Sequence, residues 1–457
     1  MGGWLAVCLA SIHSPTHPFL RLFRRREPPM QHRVSRRGFL AIASAAPYML
    51  TSQALGGPEK EPASDRIAVG HIGVGGMGSG HLRQVIGSRV ATPVAVCDVD
   101  KERLSRAESA TEGKAKPYHD FRQLLERLDI DAVIIGSPDH WHALHTLHAC
   151  VAGKDVYVQK PMCVTVREGQ AMIAATRRHR RVVQVGSQGR SQSGGRYSAQ
   201  YVRNGYCGKV RDVYCWHYPN PSRPASPPEP VPPGLDYDLW LGPLPYFPYH
   251  PAHTHGSFRW LLCSGGGNIR DRGAHIFGIV CWAMNVDHTG PVSVVATGDR
   301  PEGLYDIPVT MSVTYEFKNP DWTLHWDQPG EPKGFTPDDK PFPYGVQFVG
   351  DKDSLVVGHC DGVRADKKVF FEPGAHETAL YVSNDHLVNF FDCVKSRRDP
   401  IVPVEAGQRI TSLCALGNIA WRVGRKLTYD PVHEQIVGDE DANRLLHAPY
   451  REPWALL

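Results

Sequence analysis

Apolar and polar positions follow one rhythm in the first half of the chain and another beyond residue 208. Short unalternating apolar runs come first: Arg66 to Ile72, Pro93 to Cys97, Asp131 to Gly136, Asp155 to Val158 and Val182 to Val185, most of them rich in valine and isoleucine. Runs of this kind fit strands buried on both faces of a parallel sheet. Helix periodicity fills the gaps, over roughly 80–88, 100–112, 120–128, 140–152 and 165–180. The alternation predicts a doubly wound α/β domain over 65–187. Longer alternating segments follow at Val210 to Tyr218, Val292 to Thr297, Val309 to Phe317, Thr323 to Asp327 and Gly345 to Val357, with helix patterns at 274–284, 384–397 and 405–424. They predict a second α/β domain, 188–457, built on an open, largely antiparallel sheet. Pro219 to Pro233 reads as an extended loop, and no internal repeat is present.

The first strand runs into Gly73-Val-Gly75-Gly76-Met77-Gly78. In such a strand-turn-helix, Gly73 makes the tight turn, Gly75 admits phosphates to the backbone N–H groups, and Gly78 packs helix against strand; Gly76 and Met77 complete the loop. Asp98 ends the next apolar run about twenty residues on, where its carboxylate can accept from ribose hydroxyls. A dinucleotide is therefore the expected ligand. Asp98 should repel a 2′-phosphate and select NAD, while Lys101 and Arg103 lie near enough to leave NADP open.

Charge and composition change this picture only after the N-terminus is set aside. Ser35-Arg36-Arg37-Gly38-Phe39-Leu40, followed by the apolar stretch Ala41 to Leu50, is a twin-arginine signature, with small residues before Ala54 suited to cleavage there. Residues 1–54 are thus expected to be a leader, with Met30 an alternative start, and the protein to be exported to the periplasm by the twin-arginine machinery. The apolar stretch is too short for a stable membrane span. Removing the seven Arg and one Glu of 1–54 leaves 44 basic against 46 acidic residues, which takes away any compositional case for nucleic-acid binding. Ten of the eleven cysteines lie beyond the leader with no Cys-x-x-Cys pair, a pattern of buried thiols.

Two segments suit chemistry at the carboxyl ends of the parallel strands. Lys160, in Gln159-Lys160-Pro161, ends a strand and can meet a substrate hydroxyl or carbonyl beside a nicotinamide; alone it would read as a surface charge. Gly265-Gly-Gly-Asn-Ile-Arg-Asp271-Arg-Gly-Ala-His275 leads into an apolar helix, and a four-residue spacing puts Asp271 and His275 on one helical face. Histidine suits removal of a hydroxyl proton, with a carboxylate to orient or charge it. The competing reading is a helix start capped by Asp271 beside a packed histidine.

Together with Ser137-Pro138-Asp139-His140-Trp141-His142, Asp236-Tyr-Asp-Leu-Trp-Leu-Gly-Pro243 and His386-Leu-Val-Asn-Phe-Phe, these motifs resemble the Gfo/Idh/MocA oxidoreductase family, in its exported branch, over nearly the whole chain past the leader. The resemblance implies a Rossmann domain plus an open-sheet domain that associates into homo-oligomers through the sheet face. It makes Lys160 the catalytic lysine, His275 the acid/base and Asp271 its substrate-binding neighbour, and adds Ser137, Pro138, His140, Trp141, Gln159 and Lys160 to the cofactor contacts. The chain departs from the family in carrying Gln159 where Glu precedes Lys-Pro, which removes a carboxylate that could pair with Lys160, and Gly278 where some relatives carry an acid.

His142, His145 and His148 follow a three-residue spacing, but it drifts around a helix without an acidic ligand, so no metal site is expected; the same holds for His250, His253 and His255. Tyr246, Phe247, Tyr249, Phe258 and Trp260 surround the latter set and suit either a sugar face or loop packing. Three functions compete: an oxidoreductase acting on a CH–OH group of a sugar or cyclitol, a redox-assisted glycoside hydrolase or lyase, and a non-catalytic sugar sensor. Export favours a tightly bound, internally recycled cofactor, because no free NAD pool exists outside the cytoplasm.

Overall fold

The computed structural model describes residues 61–62, 64–332, 342–359 and 363–456. The expected leader, 1–54, lies outside the described residues.

Six strands form a wholly parallel sheet in the order β3-β2-β1-β4-β5-β6. They are β1 (Ile67–Ile72), β2 (Ala91–Cys97), β3 (Lys116–Tyr118), β4 (Ala132–Ile135), β5 (Asp155–Val158) and β6 (Val183–Val185). The helices between them are α1 (Gly76–Ile86), α2 (Lys101–Ala110), α3 (Phe121–Leu125), α4 (Asp139–Val151) and α5 (Val166–Arg178). Strand order reverses between β1 and β4, and the crevice at their carboxyl ends is where such sheets bind ligands. Caps written in the sequence fix several helix starts: Asp100 and Asp120 accept from the first turns of α2 and α3, and Thr165 forms a reciprocal capping box with Glu168.

Helix α6 (Ser193–Arg203) leads to a nine-stranded mixed sheet in the order β13-β12-β11-β7-β10-β9-β8-β14-β15, whose outermost strands are β13 (Val363–Ala365), β14 (Leu427–Asp430) and β15 (Gln435–Val437). Its central strands are β7 (Val210–Trp216), β8 (Ser293–Gly298), β9 (Met311–Phe317), β10 (Trp322–Gln328) and β11 (Tyr344–Gly350). Only β7 and β10 pair in parallel; the remaining neighbours are antiparallel, as predicted. The alternating segment from Gly345 to Val357 is two strands rather than one, because polar Asp351 to Asp353 turn the chain before β12 (Ser354–His359). On β9 and β10, Met311, Val313, Tyr315, Trp322, Leu324 and Trp326 face inward, while Ser312, Thr314, Thr323 and His325 face outward and keep solvent contact.

Helices α9 (Gly273–Ala283) and α11 (Val404–Val423) cover the inward face; α11 also packs on α5 and β6 and so braces the two sheets. Phe277 of α9 meets Trp326 with ring centroids 5.6 Å apart, and the Tyr315 hydroxyl donates to Leu413 O at 2.7 Å. Burial of such an aromatic ring stabilises the fold by about 1.5–3 kcal/mol, and it sets the position of the helix start that carries His275. Nine described cysteines are free thiols, eight of them buried. No described helix is long and apolar enough to cross a membrane.

Candidate active site

The turn after β1 is built for close backbone approach. Gly73 has φ +79°, and a Cβ there would lie 2.5 Å from Ser137 N. A Cβ at Gly78 would overlap Gly73 O, so helix α1 rests directly on the turn. No side chain caps α1, which leaves its first N–H groups and positive dipole end for an anion. Gly76 is exposed with open space beside it, and nothing in the structure requires glycine there.

Asp98 is buried at the wall of this cleft and takes Val74 N–H at 2.9 Å on one oxygen and Asp100 N–H at 3.0 Å on the other. Burial pushes its carboxyl up and those two donors pull it back. The Arg103 guanidinium lies against Gly75. Ser137, Pro138 and Trp141 line the same cleft, and Leu239, Trp240 and His255 from the second half of the chain close it. Glycines that admit no Cβ, an uncapped helix start and a carboxylate beside them fit an adenine dinucleotide.

His140 is placed elsewhere. Its Nε2 lies 3.0 Å from Trp240 O, and it lines a separate cavity of about 560 Å³. Trp141 Nε1 donates to the same Trp240 O at 3.0 Å, and its ring stacks on His145 at 4.7 Å. His142 sits between Pro161 O at 2.7 Å and Ser137 O at 2.9 Å, tying two loops together. His145 Nδ1 meets Ser137 Oγ at 3.1 Å, His250 bonds Ser226, and His253 bonds Leu304 O. Each of these histidines thus has its own partner; among the described residues no three His, Cys, Asp or Glu gather as metal ligands.

A second cavity, about 510 Å³, contains Met77, Gln159, Lys160, Asp271 and His275. Met77 and Gln159 therefore face this space rather than the adenosine cleft. The Lys160 Nζ donates to Asp271 Oδ1 at 2.6 Å and to Asp271 O at 2.7 Å, both side chains being under a tenth exposed. Burial opposes charge on Asp271, but Lys160, Arg259 and Arg272 together hold its carboxyl far below the usual range. Arg259 Nε lies 3.0 Å and Arg272 Nε 3.4 Å from it.

Asp271 and His275 do not lie on one helix. Asp271 ends the four-residue helix α8 (Asn268–Asp271), a one-residue turn at Arg272 with φ −98° and ψ −36° follows, and His275 stands in the first turn of α9. Nor does Asp271 cap α9, since its carboxylate is engaged by the three cations. Gly267, at φ +78°, turns the chain into α8, whose start is pinned by Asn268 N–H donating to Asn220 Oδ1 at 2.8 Å. Gln159 turns away from the Lys160 ammonium: its Nε2 donates to His81 Nε2, while His81 Nδ1 meets Gln84 Oε1 at 3.0 Å. Burial lowers His81, consistent with the neutral ring this chain of bonds requires.

Arg259, Arg272 and Asp139 were not singled out as site residues from sequence. Arg272 stands inside the Asp271-to-His275 motif, Asp139 inside the Ser137-to-His142 motif, and Arg259 carries no local signal. Asp139 is buried at the start of α4, and burial, against the pull of Arg259, pushes its carboxyl up to about 7. Of the loop aromatics only Trp260 reaches the substrate-side cavity; Tyr249 and Phe258 pack with Tyr237 and Trp240, and Tyr246 is exposed.

Comparison with known proteins agrees with this architecture. Residues 67–187 match the model described as an oxidoreductase family with an NAD-binding Rossmann fold, and 209–319 with 376–456 match that family's C-terminal α/β domain. A glycosyl hydrolase family 109 protein of Shewanella sp. (strain ANA-3) is 39% identical over 118 residues, 23% of this chain and 25% of that protein. An inositol 2-dehydrogenase of Salmonella typhimurium is 31% identical over 154 residues, 33% of this chain and 46% of that protein. The match thus spans a quarter to about half the length of these curated relatives. Among solved structures, the WlbA dehydrogenase from Bordetella pertussis, in complex with NADH and UDP-GlcNAcA, superposes with a TM-score of 0.60 at 19% identity, covering 80% of this chain and 99% of that one. The aldose-aldose oxidoreductase from Caulobacter crescentus gives 0.58 at 20% identity, covering 79% and 99%. With both halves matched in order and the glycine turn, Asp98 and the Lys160 cavity in place, the chain belongs to the Gfo/Idh/MocA family of NAD-binding oxidoreductases.

Proposed function

We propose that this protein oxidises and reduces a CH–OH group of a sugar or cyclitol, and that it does so outside the cytoplasm with a cofactor that stays bound between turnovers. The observation that carries the reading is the meeting of Lys160, Asp271 and His275 in one cavity with Met77 and Gln159 of the cofactor side. NAD, held by the Gly73-to-Gly78 turn and Asp98, supplies the hydride acceptor and donor. His275 takes the hydroxyl proton, and the Lys160 ammonium polarises the reacting oxygen. Asp271 holds that ammonium charged and fixed. Leu239, Trp240 and His255 close over the cleft, which favours slow cofactor exchange. The twin-arginine motif supports export to the periplasm, and the half-exposed outer face of the mixed sheet supports association into a homo-oligomer.

The segment similar to a glycosyl hydrolase family 109 protein favours one second reading. There a ring C–H beside a hydroxyl gives its hydride to bound NAD, the C–H next to the new carbonyl becomes acidic, the glycosidic oxygen leaves as an alcohol, water adds across the double bond so formed, and the hydride returns to the carbonyl. The deciding experiment follows the nicotinamide absorbance of the purified protein while sugars, glycosides and cyclitols are added. An oxidised product with its glycosidic bonds intact supports the first reading; loss of a glycosidic bond with no net redox change supports the second. Protein that carries no nicotinamide and responds to no substrate removes both.

A further inference from the structure

The substrate-side cavity is cationic in excess of its one carboxylate. Lys160, Arg259 and Arg272 line it, and Asp271 is the only acid among the described residues that does so. Arg259 Nε lies 3.0 Å and Arg272 Nε 3.4 Å from the Asp271 carboxylate. Arg259 spends a further donor on Gly256 O at 3.0 Å, and the Arg272 guanidinium stands over the Tyr344 ring. Lys160 alone already gives Asp271 a direct hydrogen-bonded partner. The two arginines therefore bring about two positive charges more than Asp271 needs into a space open to solvent, where guanidinium groups suit planar oxyanions. Asp139, which does not line the cavity, is pushed toward its neutral form by burial and so offsets only part of this charge.

We infer that the substrate is an anionic polyol, a sugar acid or sugar phosphate whose oxyanion is held by Arg259 and Arg272 while its reacting hydroxyl meets Lys160 and His275. The inference rests on the proposed redox function and narrows its substrate class. A cavity of about 510 Å³ is large enough for a six-carbon sugar bearing such a group.

The test is calorimetric binding to the protein as purified with its cofactor. Glucuronate, galacturonate, gluconate and a hexose phosphate are compared with glucose, galactose and myo-inositol. At least one anionic sugar should bind about tenfold or more tightly than its neutral parent, and the margin should shrink as salt is raised. Arg272→Gln, a change to a side chain that is 42% exposed, should erase the margin. Carboxylates and phosphates separate within the same panel. Neutral parents that bind as well as every acid overturn the inference, even where a neutral polyol is oxidised and the redox function stands. A tightly bound sugar acid that never alters the nicotinamide absorbance instead upholds the anion preference and removes the redox function.

Discussion

The Lys160 ammonium and the Asp271 carboxylate, 111 residues apart in sequence, meet at 2.6 Å with less than a tenth of either side chain exposed. One comes from the end of β5 and the other from a single helical turn above the mixed sheet. Removing the carboxylate leaves the buried Lys160 ammonium without an opposite charge, a loss of about 3–5 kcal/mol. Asp271→Asn should therefore lower the unfolding free energy by about that amount and also abolish turnover. Chemical denaturation of wild type and variant measures the first effect; an unchanged midpoint would contradict the pairing.

His275→Ala should reduce turnover by about a hundredfold or more, the usual contribution of a positioned acid/base, while the nicotinamide absorbance of the purified protein stays unchanged. Retained activity would remove His275 from the proposed mechanism.

Gln159→Glu tests whether the missing carboxylate matters. Because Lys160 already pairs with Asp271 and Gln159 faces His81, kcat/KM should change less than about threefold, which is under 1 kcal/mol. The new carboxylate should instead raise the His81 pKa, measurable by NMR titration.

Stability should fall on acidification. Burial lowers His71 to about 3 and His140, His142, His148 and His386 to about 4. Unfolded histidine binds a proton near pH 6.5. The unfolded chain thus takes up protons first, and stability present above about 6.5 is lost as pH falls toward about 4. Thermal melts across that window should show a declining Tm.

Asp139 acts in the opposite sense. Its folded carboxyl is raised to about 7, so its contribution is most favourable at low pH and is lost as pH rises from about 4 to about 7. Asp139→Asn should stabilise the protein at about pH 8 by on the order of 4 kcal/mol, and have little effect at about pH 4.

What the sequence made legible follows from where single residues carry a strong physical demand. Gly73, Gly78 and the valine-rich runs announced the parallel sheet, because a turn without room for Cβ and strands buried on both faces allow few alternatives. Helix α6 was not predicted: Gly194 and Gly195 weaken its propensity, and they are there because a Cβ at Gly194 would come within 2.5 Å of Val363 O. Strand β3, Lys116–Tyr118, offers no apolar run and exists only through pairing with β2. Arg259 stayed hidden because its meaning depends on Asp271, which only the tertiary fold brings near. The Ser137-to-His142 motif winds into a helix, so successive side chains point about 100° apart, with Trp141 lining the cleft and His140 the neighbouring cavity.

The break at Arg272 has a mechanical meaning. A single helix would have carried Asp271 and His275 as one rigid lever. Instead Asp271 is bolted to β5 through Lys160, while His275 rides on α9, which Phe277 fastens to the mixed sheet through Trp326. The proposed proton acceptor and the polarising ammonium are therefore held from different sheets, and the distance between them is set by how α9 and α11 pack those sheets together.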